Sequence, residues 1–161
     1  MSSSQQFNDP FVYKAPIRVL FLSPHNRARS QMAEALVRHL SHGKVFALSA
    51  GSHPASCIHP YAVRAMHAAI GIDISFSGPK HIKDLRGVFD YIITLYDSVL
   101  EVCPTFPGDP NMHWDFPDPA AVGETEEECY RAFEILGLEL TMRIRLLLTL
   151  IEREKGNGSI R

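Results

Sequence analysis

Apolar positions change their period several times along this chain, and each change marks an element. Over 17–22 the run Ile-Arg-Val-Leu-Phe-Leu is apolar on both alternating faces, as a strand in the middle of a parallel sheet requires. Over 30–40 the spacing becomes helical: Ala33, Leu36, Val37 and Leu40 share one side, and Glu34 and Arg38 fall where they can face water. Residues 44–49 predict a second strand, and 60–70 a second helix opened by Pro60 and closed by Gly71. A third strand is expected over 89–95 and a short fourth over 111–114. The last helix starts near Thr125, where Glu126, Glu127 and Glu128 suit the positive end of its dipole, and Arg143 and Arg145 lie further along. Its apolar stripe runs through Phe133, Leu136, Leu140, Ile144, Leu147 and Ile151. Gly137 interrupts that stripe at a cost of about 1 kcal/mol relative to alanine, which predicts a bend or a close helix contact there.

Strands alternating with helices across short connections imply an α/β fold. It is expected to be a single three-layer domain, a parallel sheet of about four strands flanked by helices on both faces. That domain is expected over 16–152, between a mobile N-terminal extension (1–15) and a C-terminal tail (153–161). Composition adds bounds. A chain of 161 residues with 45% hydrophobic content builds one core, and a net charge of −2 without a basic block argues against a broad nucleic-acid surface. No run approaches the ~18 apolar residues of a membrane span, and the N-terminus lacks a basic-then-apolar leader, so no membrane association and a cytoplasmic location are expected. Cys57, Cys103 and Cys129, odd in number and widely spaced, suit a reducing compartment better than a disulfide framework.

In parallel sheets ligands bind outside the carboxyl ends of the strands, which directs attention to the loop after the first strand. It reads Ser23-Pro24-His25-Asn26-Arg27-Ala28-Arg29-Ser30 and runs straight into a helix. Its amides can converge on an anion, the helix end adds about half a positive charge, and Arg29 supplies a planar fork for two oxygens of a tetrahedral oxyanion. It is not a Walker loop, because the glycines and the Gly-Lys pair are missing. The plainer alternative is a connector with two solvated arginines. His53, Cys57 and His59 crowd another loop but lack the paired spacing of zinc ligands, so no metal site is expected there. Trp114 reads as a packing residue.

The stretch from Val19 to Leu36 closely resembles the phosphate loop and first helix of the low-molecular-weight tyrosine phosphatase and arsenate reductase family. Ser49-Ala50-Gly51-Ser52, Gly71-Ile72-Asp73-Ile74-Ser75, the 89–95 strand and the segment from His113 to Ala120 resemble its arsenate reductase branch. The resemblance covers about 17–152. The family loop is Cys-x5-Arg-Ser; here Ser23 stands at the cysteine position with the spacing to Arg29 kept. The resemblance implies that Arg29 and the loop from Ser23 through Pro24, His25, Asn26, Arg27 and Ala28 to Ser30 bind arsenate or phosphate. It further implies that Ser30 hydrogen-bonds at position 23, that Asn26 shapes the loop, and that Asp118 is the general acid. For Asp118 the alternative is an Asp-Pro pair that merely starts a turn. A His25 side chain in such a loop is expected to point away from the anion.

The departures bear on activity. A helix N-terminus and an arginine lower a thiol pKa by several units, whereas a serine hydroxyl stays protonated without a base, so nucleophilic chemistry is expected to be impaired. In the thioredoxin-coupled branch two further cysteines seven residues apart pass a disulfide outward; here Tyr96 holds the first position and Cys103 the second, so Cys103 is a doubtful relay residue. No cofactor is required, and a thiol reductant (a small thiol or a glutaredoxin-type partner) enters only for an active reductase. Glu34 and Ser49 match two ligand positions of a monovalent-cation site described in some relatives, but Lys80 falls where an acidic ligand would be. Its ammonium can replace the cation, so none is expected to be required.

Three accounts therefore stand. The chain is an oxyanion-binding relative of arsenate reductases with silenced chemistry. Or it is an active reductase or phosphatase whose cysteine was exchanged for serine to trap a complex. Or it is a non-catalytic regulatory or interaction protein on this fold. For a tyrosine phosphatase, Trp114 and Phe116 only partly supply the aromatic surround of a phosphotyrosine ring.

Overall fold

A computed structural model of the chain describes residues 15–98, 101 and 112–158. The expected extension falls mostly on 1–14, outside the described residues, as do Cys103 and the end of the tail. Four strands, β1 (Ile17–Ser23), β2 (Val45–Gly51), β3 (Tyr91–Tyr96) and β4 (Met112–Asp115), form one parallel sheet in the order β2-β1-β3-β4. Three α-helices accompany it among the described residues: α1 (Arg29–Leu40), α2 (Pro60–Ile70) and α3 (Glu126–Gly156). Short 3₁₀ turns lie at Ile82–Asp84 and Pro119–Ala121. The fold is the expected α/β domain. The strands lie within two residues of their sequence-based bounds, and α3 runs to Gly156, past the expected tail boundary.

The pleat divides β1 between two apolar clusters, which is why its sequence is apolar throughout. Ile17, Val19 and Phe21 join residues of α1, α2 and α3 in the larger cluster. Leu20 and Leu22 face the other way, onto Ala50, Phe89 and Ile92, with Ile82 and Leu85 against them. Thus, among the described residues, all three α-helices feed one core, and the chain around the first 3₁₀ turn packs on the second face. The connection from β2 must cross β1 to reach β3 on that second face, and a 3₁₀ turn with extended chain is enough to cover five buried side chains.

Local chemistry sets the helix ends. Gly71 takes φ 76°, the left-handed conformation that ends α2. Thr125 caps α3 with its hydroxyl, and Glu128 reaches back to the Thr125 amide, a reciprocal capping box. All six residues of the expected stripe of α3 are buried. Gly137 is a close contact: a Cβ there would lie 3.6 Å from Met32 and 3.8 Å from Ile70, where α3 meets α1 and α2.

His59 caps α2: its Nδ1 accepts from the Tyr61 amide at 3.1 Å, and its ring stacks on Phe133 at 4.5 Å between centroids. Burial lowers its pKa, the Arg27 charge lowers it further, and Asp118 partly opposes both. The unfolded chain therefore binds the proton more readily. Stability should be full above the ordinary histidine value near 6.5 and decline as pH falls through it towards the lower folded value. Urea unfolding at pH 7.5 and 5.5 tests this: His59→Asn, which keeps a capping acceptor but does not titrate, should show a smaller acid loss than the parent. Equal losses would remove His59 as the cause.

Candidate oxyanion site

The loop between β1 and α1 is fixed by its neighbours. The carbonyls of Pro24, His25 and Arg27 accept from the amides of His53, Ala55 and His59 at 2.8–2.9 Å. These bonds turn the carbonyl edge of the loop towards the β2–α2 connection and leave its amide edge facing inward. Asn26 bends the loop at φ 48°, a left-handed conformation that asparagine tolerates. Its amide side chain is held at both ends: Oδ1 accepts from Lys80 N at 2.8 Å and from Gln31 Nε2 at 3.1 Å, and Nδ2 donates to Ser30 Oγ at 2.8 Å. Gly51 permits this fit, because a Cβ there would stand 2.7 Å from the Pro24 carbonyl oxygen and 2.8 Å from that of Ser23.

Ser23 sits at the floor, 3% exposed. Its Oγ lies 2.6 Å from Ser30 Oγ and accepts from the Asn26 amide at 3.2 Å. The nearest titratable groups are engaged elsewhere. His25 turns outward, its Nδ1 donating to the His53 carbonyl at 3.0 Å. Asp118 faces the loop but pairs with Arg27 at 3.4 Å, and its other oxygen caps the second 3₁₀ turn through the Ala120 amide at 3.0 Å. Asp118 thus starts a turn and also stands at the mouth of the loop.

Arg29, 4% exposed, holds a partner that sequence reasoning missed. Its two terminal nitrogens donate to the two carboxylate oxygens of Glu101, each at 2.6 Å, and Nη1 also donates to the Phe116 carbonyl at 2.9 Å. Glu101 Oε2 accepts from the Asp97 amide at 2.6 Å as well. Burial opposes ionisation of Glu101, but the Arg29 hydrogen bonds, the Asp97 amide and the Arg29 charge outweigh it and hold the carboxyl below the usual glutamate range. The fork expected to take an oxyanion is therefore on an internal carboxylate. The cavity bounded by Ser23, His25, Asn26, Arg27, Ala28, Arg29 and Asp118 measures only about 10 Å³. One signal was available: the loop after β3 leaves the sheet beside the end of β1, as strand-end logic requires. Nothing in the sequence singled out Glu101 within it.

Behind the loop, Glu34 corrects the expectation that it faces water. It is 5% exposed and takes Arg38 at 2.7 Å, Lys80 Nζ at 3.2 Å and a hydrogen bond from the Ser49 hydroxyl. Three donors offset the burial of one carboxylate, and the Lys80 ammonium lies where the sequence comparison set it against Glu34. Among the described residues no three His, Cys, Asp or Glu side chains are grouped to hold a metal ion, and no helix is long and apolar enough to cross a membrane. Tyr96, at the first relay position, packs its ring 4.3 Å from that of His113. Trp114 is buried 5.9 Å from Phe21, as a packing residue should be.

A parallel sheet with this loop at the end of its first strand matches a known family. Residues 18–157 fit the model of the low molecular weight phosphotyrosine protein phosphatases, and the chain belongs to that family. Within it the similarity runs to arsenate reductases. That of Shouchella clausii is 37% identical over 130 residues, covering 79% of this chain and 91% of the relative, and that of Bacillus subtilis is 35% identical over 129 residues with the same coverage. Among solved structures, the arsenate reductase of Archaeoglobus fulgidus superposes with a TM-score of 0.65 at 29% identity, covering 81% of this chain and 98% of that one. The thioredoxin-dependent arsenate reductase of Corynebacterium glutamicum gives 0.64 at 33% identity, covering 89% of this chain and 65% of that one.

Proposed function

We propose that this protein binds a tetrahedral oxyanion, arsenate or phosphate, in the loop from Ser23 to Ser30 and does not turn it over. The observation that carries this reading is an intact cup around an altered nucleophile. Asn26, Ser30 and Gly51 hold the loop in shape, yet the atom at its floor is the Ser23 hydroxyl with no free base beside it. An alcohol in that position keeps its proton at neutral pH and is a poor nucleophile. Amides at a helix start and a guanidinium need no thiolate to attract an anion.

The roles follow from position. Arg29 binds two oxygens of the anion once Glu101 leaves its fork, the inward amides of the loop bind the others, and Asp118 stands ready as a proton donor that no reaction uses. Arsenate reduction needs an electron route; Tyr96 offers no thiol at the first relay position for a thioredoxin-type route, and a small-thiol or glutaredoxin-type reductant has no part where Ser23 does not react. The setting is the soluble cytoplasm. A trapped, otherwise ordinary reductase or phosphatase differs from this reading in one respect: restoring cysteine would have to restore its activity, and Tyr96 argues against a thioredoxin-type relay for the reductase.

The test locates the anion. In amide-resolved NMR spectra of the full chain, added arsenate should produce saturable shifts in the amides of His25 through Ser30. Shifts confined to exposed lysines, or none at tens of millimolar arsenate, would overturn the reading.

A further inference from the structure

The outer face of α3 carries more exposed apolar side chain than a solitary surface helix needs. Ile135, Leu138, Met142, Leu146 and Leu150 recur every three or four residues, and Leu138, Met142 and Leu146 are 61%, 69% and 70% exposed. They form one stripe about four turns long, opposite the buried stripe of the same helix. Beside it lies a groove of about 640 Å³, between this stripe and Phe116, Pro117 and Pro119 of the Asp118 loop. Contiguous apolar surface of this kind marks an interaction site.

The stripe and the charges beside it are self-complementary. Counted outward from Met142, Leu138 and Leu146 stand four residues to either side, and Ile135 and Leu150 seven and eight. The charges divide at the same point. Over 126–141 there are five glutamates against Arg131, whereas over 142–156 four bases, Arg143, Arg145, Arg153 and Lys155, stand against Glu152 and Glu154. Glu139 and Arg143 flank the stripe on its groove side, both exposed, and no ion pair joins them to each other or to another described residue. A parallel neighbour would set acidic half against acidic half; an antiparallel one opposes unlike halves and opposes the helix dipoles.

We infer that α3 is a self-association face, on which two copies of this chain pack antiparallel about a two-fold axis at Met142. Leu138 of each copy then meets Leu146 of the other, and Glu139 of each lies on the same side as Arg143 of the other, the reciprocal pattern that an isologous dimer requires. The occupant is a second copy because the face complements itself in both apolar spacing and charge sign. The inference is independent of anion binding.

Analytical ultracentrifugation of the full chain from about 1 to 100 µM tests it, with far-UV circular dichroism confirming that each variant folds. The parent should show a concentration-dependent dimer. Met142→Glu should weaken it at least tenfold, and Glu139→Arg should weaken it while the double variant Glu139→Arg/Arg143→Glu restores it. A parent that stays monomeric throughout, a dimer indifferent to Met142→Glu, or a charge swap that fails to restore association would each overturn the inference.

Discussion

A Ser23→Cys variant is expected to hydrolyse para-nitrophenyl phosphate at least on the order of a thousandfold faster than the chain with serine, since nucleophile changes in enzymes reach a millionfold. The expectation rests on what surrounds that one atom. The Asn26 amide at 3.2 Å and Ser30 Oγ at 2.6 Å both address it, and it lies below the start of α1. Hydrogen bonds and a helix N-terminus stabilise an anion, so a thiol placed there would ionise near neutral pH. They cannot do the same for an alcohol, whose proton needs a base, and the two nearest carboxylates are paired with Arg27 and Arg29. Asp118 at the mouth of the loop is then in place to protonate a leaving group. Initial rates for parent and variant decide the matter. A folded variant that binds phosphate and stays inactive would mean that Asp118 or the loop no longer serves chemistry.

Removing the charge of Glu101 is expected to have the second largest effect, in the opposite sense to most substitutions at a binding site. Glu101→Gln should tighten phosphate and arsenate binding by about tenfold or more, because a fork-to-fork pair with a carboxylate is among the stronger hydrogen-bonded contacts, and tenfold corresponds to about 1.4 kcal/mol. The incoming anion competes for the same two nitrogens, each now 2.6 Å from a carboxylate oxygen. The same variant should lose some thermal stability in the absence of anion, since the Arg29 charge stays buried with only neutral acceptors, the Phe116 carbonyl and the glutamine amide oxygen. Unchanged affinity, with anion still bound in the loop, would show that Glu101 and the anion do not share Arg29.

Much of this architecture could be read from residue order, for identifiable reasons. The six-residue stripe of α3 obeys a single period and faces one core, so spacing alone located it. Pro60 and Gly71 bound α2 because each residue type has one role at a helix end. The loop from Ser23 to Ser30 is legible as a strand-to-helix turn because it is local: its residues are contiguous and its spacing to Arg29 is fixed by the turn. Glu34 was misplaced for the converse reason. Its helical position allows exposure, and only partners distant in sequence, Lys80 and Ser49, make its burial tolerable. Glu101 was invisible on the same ground, since its pairing with Arg29 spans 72 residues and depends on where the loop after β3 comes to rest. The cover of the second sheet face followed topology, which no periodicity encodes.

Whether an oxyanion site persists with serine at position 23 is decided by calorimetric titration of arsenate into the protein with Ser23 in place, beside an Arg29→Ala variant. One saturable site is expected in the first, and its loss, by at least about tenfold in affinity, in the second. Equal binding by both, or none by either even when Glu101 is replaced by glutamine, would rule the site out.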